Sequence, residues 1–425
     1  MLQVSQIIEN KEKIIEGLKK RQLKAVESTI DKVLDLDKNR REKQVKLDNL
    51  LAESNTISKS IGQLMKEGKK EEAEKVKVQS ATLKQESKNW EIELKEVEDE
   101  LQKLLLTIPN VPHETVPPGK SSEDNEIIFS VDKVPELGVN AIPHWDLIEK
   151  YDIIDFNLGN KVTGAGFPFY KGKGARLQRA LVNFFLDEAL AAGYLEIQPP
   201  VLINEESGYG TGQLPDKEGQ MYPIEGTNFY LIPTAEVPIT NIYRDVILTD
   251  DDLPVKNVGY TPCFRMEAGS WGAHVRGLNR LHQFDKVEIV QVALPENSYQ
   301  VLDEMVAHVR GLLQKLELPY RVLKLCGGDM GFTSALTYDM EVYSGAQKKW
   351  LEVSSVSNFE TFQANRLKLR YKKEAKGKPQ LLHTLNGSAL ALPRIVAALL
   401  ENNQTASGIK IPQVLVPYTG FDIID

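Results

Sequence analysis

The sequence predicts an α+β protein: an antiparallel sheet flanked by helices, preceded by an N-terminal antiparallel coiled-coil arm. Residues 1–107 are rich in helix-forming Lys, Glu, Leu and Gln, with apolar residues at heptad spacing. Residues 123–425 instead mix short strand-like segments with amphipathic ones, which is typical of a mixed domain. Residues 108–122 hold four prolines and no periodicity, which indicates a linker between the two parts.

Composition narrows the class of protein. The chain has 425 residues, enough for two or three domains, and its 26% charged and 41% hydrophobic residues are ordinary for a globular protein. The two cysteines, Cys263 and Cys326, argue against a disulfide framework or a zinc site, and we expect Cys326 to be buried. The N-terminus lacks a basic start, and Pro393 and Arg394 break the most apolar late segment. The sequence therefore predicts no signal peptide, no membrane span and a cytoplasmic location.

Helix signals dominate the arm. Residues 1–23 are expected to form a short amphipathic helix followed by a break, and residues 25–66 and 71–106 to form two long helices. The connection at Gly68 is short, so the long helices fold back on each other as an antiparallel pair. A helix of roughly 36 residues is about 54 Å long, which predicts that the arm projects. The apolar residues at heptad spacing are Leu47, Leu50, Ile57, Ile61 and Leu64 in the first long helix and Val76, Leu83, Trp90, Leu94, Val97, Leu101 and Leu104 in the second.

The charges of the arm suggest a use for it. The net charge of the chain is −8, so contact with nucleic acid requires a local basic patch. Basic residues outnumber acidic ones in residues 38–77, whereas residues 91–100 are strongly acidic. The distal half is therefore the better partner for a phosphate backbone. Periodicity alone favours the alternative, a dimerisation or spacer coiled coil with solvated outer faces.

Residues 259–288 carry the strongest chemical signal. They predict two antiparallel strands joined by a long, glycine-rich polar turn. Arg265 and Glu267 lie two residues apart on the first strand and so point to the same face. A face with guanidinium groups, an aromatic ring and carboxylates suits a nucleotide, although an ordinary hairpin with a solvated polar face is the simpler alternative. On the second strand, the residues that share a face are Arg280, His282, Phe284, Lys286 and Glu288.

This hairpin resembles motif 2 of the class II aminoacyl-tRNA synthetases. The stretches FRMEAGS and RGLNRLHQFDKVE have the form found in the seryl-tRNA synthetase family, and the resemblance extends over essentially the whole chain. It implies that Arg265 bridges the substrate carboxylate and the α-phosphate of ATP. It also implies that Glu267 accepts from the adenine amine, that Phe284 stacks on the adenine ring and that Arg280 holds the outer phosphates.

A second resemblance lies before the hairpin. Residues 174–193 predict a helix, and the segment YLEIQPPVLI, with Pro200 near its centre, predicts a strand. Proline suits only a sheet edge or a place where hydrogen bonding stops. The pair resembles motif 1, which implies a homodimer interface. Residues 208–215 follow as a predicted flexible loop.

The amino-acid site is also implied by resemblance. The tripeptide TAE lies against the substrate in the family, and its hydroxyl, small residue and carboxylate fit that role. The hydroxyl of serine needs partners that are left unpaired when it is missing. Which carboxylate takes the hydroxyl and which the ammonium stays open. The serine-binding residues implied are Thr234, Ala235, Glu236, Glu288 and Ser388.

The remaining nucleotide contacts come from EVSSVSNF and from the C-terminal motif 3. Glu352 and Ser355 supply the hard oxygen donors that Mg²⁺ prefers, and the resemblance implies that they hold it with ATP. Asn365 departs from the family pattern, which has arginine there, so one peripheral contact is in doubt. The implied ATP-binding residues are Arg265, Met266, Glu267, Arg280, Phe284, Glu352, Val353, Ser354, Ser355 and Arg394, with Arg265 and Arg394 as the catalytic residues.

Together these resemblances imply an ATP- and Mg²⁺-dependent enzyme that attaches L-serine to tRNA(Ser) through a seryl-adenylate, and leave open whether tRNA(Sec) is also charged. The arm would grip the long variable stem of serine tRNA, and the enzyme would be a homodimer. Two other hypotheses remain: an adenylate-forming relative that loads a carrier protein, and a coiled-coil interaction protein with an inactive catalytic domain. The second predicts losses at Arg265, Glu288, Glu352 or Arg394, and all four are present.

Overall fold

The computed structural model describes residues 1–138, 140–216, 218–267, 276–373 and 377–425. It divides into two compact units. The arm unit contains Met1–Lys19 and Leu23–Pro109, and the catalytic unit contains Lys20–Gln22 and Asn110–Asp425. Within the described ranges, no helix combines the length and apolar character needed to span a bilayer.

The arm unit is helical throughout its length. Its helices are α1 Val4–Glu9, α2 Lys11–Lys19, α3 Val26–Lys66 and α4 Lys70–Leu105. The prediction of one helix in residues 1–23 is wrong, because Asn10 ends α1 as its C-cap and a second helix begins directly after it. The two long helices are confirmed.

Helices α3 and α4 pack against each other in antiparallel order. The ion pairs Lys32–Glu100, with Nζ and Oε1 2.9 Å apart, and Lys43–Glu93 fix that order. The seam is less apolar than the heptads predict. Leu47 and Leu83 are buried, but so are Ser54, Ser80 and Ser87, and several heptad residues are only half-buried.

The catalytic unit is built on one large sheet. Its helices are α5 His144–Lys150, α6 Phe156–Val162, α7 Gly172–Ala191, α8 Glu205–Thr211, α9 Glu236–Asn241, α10 Ser298–Lys315, α11 Thr361–Leu367, α12 Leu392–Asn402 and α13 Val416–Thr419. Its strands are β1 Glu126–Ser130, β2 Ile154–Asp155, β3 Phe169–Tyr170, β4 Leu195–Glu196, β5 Leu202–Asn204, β6 Tyr222–Pro223, β7 Phe229–Leu231, β8 Ile247–Leu248, β9 Val255–Phe264, β10 Gln283–Ala293, β11 Tyr320–Lys324, β12 Leu336–Ser344, β13 Lys349–Asn358, β14 Arg370–Tyr371, β15 Gln380–Leu381, β16 His383–Ala391, β17 Gln404–Thr405, β18 Gly408–Lys410 and β19 Ile423–Ile424.

Among the described residues, the large sheet has the strand order β1-β11-β12-β13-β16-β10-β9-β4. Neighbouring strands are antiparallel except for β4, which pairs with β9 in parallel at one edge. Helices α7, α10 and α12 contribute buried apolar residues to the core that also contains the sheet. The predicted α+β class with an antiparallel sheet is confirmed.

The predicted hairpin is present as β9 and β10. Phe284 pairs with Cys263, and Glu288 pairs with Gly259. The turn predicted between the strands includes residues 268–275, which lie outside the described residues. The stretch that resembles motif 3 forms strand β16 and helix α12, and helix α10 precedes β11. Pro393 lies in the first turn of α12, where proline is tolerated.

Two local predictions are wrong. The segment YLEIQPPVLI is not one strand, because Pro199 and Pro200 separate β4 from β5 and the two strands join different sheets. The predicted loop 208–215 begins inside helix α8, whose N-cap Asn204 accepts from the backbone N–H of Ser207. Residues His144–Lys150 form helix α5, with Pro143 as its N-cap.

Candidate active site

A cavity of about 570 Å³ opens on the face of the large sheet. Its walls come from β10, β12, β13 and β16, together with the segment after β9, the segment between β11 and β12, the start of α12 and the turn before α9. Two sequence-predicted site residues do not line it: Ala235 is fully buried beneath the turn, and Met266 is 41% exposed. The predicted residues that do line it are Thr234, Glu236, Arg265, Glu267, Arg280, Phe284, Glu288, Glu352, Val353, Ser354, Ser355, Ser388 and Arg394.

The hairpin places a guanidinium group over an aromatic ring. Arg265 follows β9, where its backbone N–H donates to the carbonyl of His282 at 2.9 Å. Its guanidinium carbon lies 5.2 Å from the centre of the Phe284 ring, and its Nε donates to the carbonyl of Pro233 at 3.3 Å. The terminal nitrogens of Arg265 have no partner among the described residues, which leaves them for a ligand in the cavity.

One residue of the face predicted for the second strand of the hairpin does not point into the cavity. His282 was grouped with Arg280 and Phe284 by alternation, but it does not line the cavity. Its ring stacks on Phe167, with centroids 5.4 Å apart, and its Nδ1 lies 3.1 Å from the carbonyl oxygen of Arg265. Strand β10 begins only at Gln283, so strict alternation does not apply to His282.

Two further arginines line the other end of the cavity. Arg280 forms an ion pair with Glu267, and both side chains face the cavity. Arg394 donates through Nε to the carbonyl of Asn279 at 3.0 Å and through Nη1 to the carbonyl of Glu352 at 2.6 Å. Its Nη1 also lies 3.9 Å from Glu352 Oε2. These two guanidinium groups, each beside a carboxylate, are the partners that an anionic ligand would use here.

A second polar cluster occupies the deep part of the cavity. Lys286 Nζ lies 2.5 Å from Glu288 Oε2 and donates to Thr234 Oγ1 at 2.8 Å. Glu236 Oε1 accepts from Gln363 Nε2 at 2.7 Å. Burial and the nearby charge of Glu288 raise the pKa of Glu236 to about 7. Because the three ionisable residues are all at most 9% exposed, this part of the cavity is suited to a small, polar, charged ligand.

Strand β12 brings a further carboxylate, that of Asp339, to the wall beside Glu352 of β13. Asp339 pairs across the sheet with Ser355, and both residues line the cavity. Burial and the charge of Glu352 raise the pKa of Asp339 well above its ordinary value. Asp339 Oδ1 is buried without a hydrogen-bond partner among the described residues. The carboxylates of Asp339 and Glu352 and the hydroxyl of Ser355 are hard oxygen donors, and one of the Asp339 oxygens is unsatisfied. This group fits a hard divalent cation such as Mg²⁺.

Sequence reasoning missed residues that the cavity includes. Lys286 was placed on the hairpin face but given no ligand role, and Asp339 was not singled out. A signal existed for Asp339, because a carboxylate at a buried position of an apolar strand needs a partner. Asn279, which lies in the motif 2 stretch, and Asn386 also line the cavity, and neither is among the predicted site residues. Asn365, the departure from the family pattern, is not among the lining residues.

Comparison with known proteins first gives the class. Residues 222–403 match the class II core domain of tRNA synthetases specific for Gly, His, Pro, Ser and Thr. This segment contains Thr234, the hairpin and Arg394. Residues 1–112 match the seryl-tRNA synthetase N-terminal domain. The fold and cavity therefore belong to a class II aminoacyl-tRNA synthetase.

Individual relatives narrow the class further. The chain is 52% identical to a serine–tRNA ligase from Salinibacter ruber over 92% of both chains. It is 46% identical to one from Carboxydothermus hydrogenoformans over 100% of this chain and 99% of the other. A crystal structure of seryl-tRNA synthetase from Pyrococcus horikoshii complexed with ATP matches with a TM-score of 0.92 and 34% identity, covering 100% and 99% of the two chains. The chain belongs to the seryl-tRNA synthetase family.

Proposed function

We propose that this enzyme uses ATP to attach L-serine to tRNA(Ser) through a seryl-adenylate. One observation carries the proposal: three arginines, an aromatic ring and two buried carboxylates converge on one cavity. The relatives named serine–tRNA ligase support the amino acid and the tRNA, and the P. horikoshii structure complexed with ATP supports the nucleotide. The same cavity would serve for tRNA(Sec), which a charging assay with that tRNA tests.

The hairpin would hold the adenosine part of ATP. The Phe284 ring offers a stacking surface, and Glu267 offers a carboxylate that can accept from the adenine amine. Arg280, which pairs with Glu267, would then be free to turn towards the outer phosphates. Met266 does not line the cavity, and its backbone N–H donates to the carbonyl of Gln220 at 3.0 Å, so its part would be to hold the segment that carries Arg265 and Glu267. Val353 and Ser354 line the wall between the two ends.

The arginines would align and neutralise the reacting oxygens. In the first step, the serine carboxylate attacks the α-phosphorus and pyrophosphate leaves. Arg265 can bridge these two anions because its terminal nitrogens face the cavity, and Arg394 can hold the terminal phosphate. Glu352 and Ser355, with Asp339, would hold Mg²⁺, which neutralises phosphate charge when bound. The protein's contribution is thus mainly alignment and charge.

The deep cluster would recognise serine. Glu236 and Glu288 can accept from the ammonium and the hydroxyl, and Ser388, which pairs with Glu288 across β16 and β10, adds a hydroxyl. Ala235 is fully buried between Thr234 and Glu236, and its small side chain leaves room for these two residues to face the cavity. A site whose buried polar groups are left unpaired by alanine can reject it by about 10⁴-fold or more.

The arm and the sheet edge would complete the enzyme. The basic distal half of α3 and the start of α4 would contact the tRNA backbone before the seryl group moves to the terminal ribose.

Three apolar side chains are exposed on β4, β5 and β7: Leu195 is 63%, Leu202 43% and Phe229 43% exposed. Their exposure supports burial of this region in a homodimer. An enzyme that charges tRNA works where tRNA is used, so we place it in the cytoplasm.

The first experiment is ATP–pyrophosphate exchange with the full chain. We expect exchange that depends on serine and on Mg²⁺, and no exchange with alanine or threonine in place of serine. Charging of tRNA(Ser) should follow with the same enzyme. Exchange without charging would favour the carrier-protein hypothesis, and no serine-dependent exchange would overturn the proposal. Light scattering tests the dimer, with Leu195→Glu expected to yield monomers.

A further inference from the structure

A buried polar network lies next to the cavity without belonging to it. His144, the first residue of α5, and Glu401, in the last turn of α12, are both fully buried. Glu401 Oε1 accepts from the backbone N–H of His144 at 3.0 Å, from His144 Nδ1 at 2.8 Å and from Gln347 Nε2 at 3.0 Å. Ser344 Oγ donates to Oε2. Burial acts to raise the pKa of Glu401, but these hydrogen bonds outweigh it and lower the pKa.

The second imidazole nitrogen of His144 points at the hairpin. Its Nε2 accepts from the backbone N–H of Leu278 at 2.9 Å. An atom that accepts from an amide carries no proton, so the hydrogen bond from Leu278 and the carboxylate of Glu401 together select the tautomer with hydrogen on Nδ1. Gly277 makes the approach possible, since a Cβ there would lie 2.4 Å from Nε2, and its φ of +66° also suits glycine.

A parallel connection reaches the next residue. Asn279 Nδ2 donates to Gln347 Oε1 at 2.9 Å, and Gln347 in turn donates to Glu401. The carbonyl of Asn279 is the acceptor for Arg394 Nε. One residue before Gly277, the guanidinium of Arg276 lies 4.8 Å from the centre of the Trp145 ring. The segment 276–279 is therefore held from one side by α5 and by the end of α12.

Core stability alone does not require this arrangement. A buried histidine and carboxylate could be replaced by apolar residues of similar size at little cost in stability. Here His144 accepts directly from the backbone of a segment that lines the cavity, and Glu401 is linked to the Asn279 side chain of that segment through Gln347. The residue after that segment is Arg280, and the residue bound to it is Arg394.

We propose that His144 and Glu401 form a positioning pair that sets the Leu278–Asn279 backbone, and through it aims Arg280 and Arg394 at the phosphates of ATP. The inference rests on the proposed function of the cavity. His144 contacts no substrate in this account and acts only through the segment it holds. Neither residue carries a sequence motif that pointed to this role.

Two substitutions of His144 separate positioning from simple packing. In His144→Gln the side-chain amide reaches the level of Nε2 and can accept from Leu278, whereas in His144→Asn it reaches only the level of Nδ1 and can donate to Glu401. We expect the Kd of ATP, measured by equilibrium dialysis without serine, to rise about tenfold in His144→Asn and less than about threefold in His144→Gln. The KM of serine should not change in either variant.

A third variant guards against misfolding. Gln347→Ala breaks the link to Asn279 without removing the buried imidazole, and we expect ATP to bind about threefold more weakly. Gln300→Ala, on an exposed face of α10, is the matched control and should leave the Kd of ATP unchanged. Equal loss of ATP affinity in His144→Gln and His144→Asn, or no loss in Asn and in Gln347→Ala, would overturn the inference. If the wild type itself shows no serine-dependent exchange, the proposed function has failed instead.

Discussion

The arm helices α3 and α4 and the cavity of the catalytic unit bring their residues together in different ways. In the arm, ion pairs such as Lys32–Glu100 are exposed, and the two helices are consecutive in the chain. In the cavity, residues from Thr234 to Arg394 meet, and charges such as those of Lys286 and Glu288 are almost fully buried. Exposed pairs contribute little, whereas buried ones cost several kcal/mol if one partner is lost. Substitutions of charged residues should therefore have large effects in the cavity and small effects in the arm.

The largest effect is expected at Arg265. Arg265→Ala removes the guanidinium that faces both the ring of Phe284 and the cavity, and we expect serine-dependent pyrophosphate exchange to fall about 10²- to 10³-fold. The melting temperature should change little, because the side chain is only part-buried. Lys59→Ala, exposed on the arm, is the matched control and should leave exchange unchanged. An equal loss in both variants would break the distinction between the two regions.

Substitution of Arg21 tests which of the two units this residue stabilises. It follows α2 in sequence but belongs to the catalytic unit, where its guanidinium donates to the carbonyls of Asn110, Met330, Gly331 and Ser334. Burial lowers its pKa to about 10. Arg21→Met leaves these carbonyls unpaired, and we expect the free energy of unfolding to drop by about 3–5 kcal/mol in urea titrations.

The control for Arg21 is an exposed arginine of the arm. Arg41→Met removes one of two arginine partners of the buried Asp37, and because Arg41 itself is exposed and the pair with Arg40 remains, it should cost less than about 1 kcal/mol. Similar losses in both variants would mean that Arg21 does not belong energetically to the catalytic unit.

The buried carboxylate of Glu236 also predicts a pH dependence of stability, which we do not expect from an exposed carboxylate. Glu236 has a pKa of about 7 when folded against an ordinary value of 4.5, so the unfolded state releases its proton first as pH rises. Its contribution to stability is therefore greatest below about pH 4.5, falls between pH 4.5 and 7, and is constant above. Relative to wild type, Glu236→Gln should gain about 2–3 kcal/mol between pH 5 and 8. The exposed Glu225→Gln should show no trend, and a trend of the opposite sign would contradict the buried-charge assignment.

The basic half of the arm should affect tRNA alone. The double variant Lys59→Glu and Lys66→Glu reverses two exposed charges, and we expect the KM of tRNA to rise about tenfold, with a smaller dependence on salt. Pyrophosphate exchange should stay at the wild-type level, because no tRNA takes part in it. A matched change in the acidic half, Glu91→Gln, should not weaken tRNA binding. Reduced exchange in the double variant would couple the arm to the first step.

The smallest effect is expected at the seam of the arm. Ser80 is buried in α4, and alanine has the higher helix propensity. Ser80→Ala should stabilise the arm by about 0.5 kcal/mol, seen as a small rise in the thermal midpoint of its helical signal. Neither exchange nor charging should change. A loss of stability would show that the serine side chain makes a needed hydrogen bond across the seam.

The difference between the regions also explains what the sequence could predict. Heptads and the absence of helix breakers define α3 and α4, because their contacts repeat along the chain. The period of two placed Phe284, Lys286 and Glu288 on one face correctly, since all three lie on β10, whereas Arg265 and Glu267 lie beyond the end of β9 and not on the strand as predicted. The sequence could not predict that Asp339 and Glu352 line the same wall of the cavity, because the register of β12 on β13 depends on the whole sheet.

Glycines misled the prediction of α8. Gly208 and Gly210 suggested a loop, but they are needed inside the helix, since a Cβ at each would lie 2.7 Å from a carbon of Leu214 and of Leu367, respectively. The role of His144 could not be predicted from the sequence either, because it depends on contacts with distant residues. Its partners, Leu278 and Glu401, are 134 and 257 residues away in the sequence.

The most direct test is the affinity of a non-hydrolysable seryl-adenylate analogue. If the arginine end and the deep carboxylate cluster form one site, the linked ligand should bind at least about 10²-fold more tightly than serine or AMP alone, and titration calorimetry measures all three. Arg265→Ala should remove most of that gain. An analogue that binds no more tightly than AMP would contradict the account, because adenosine and serine would then not share one cavity.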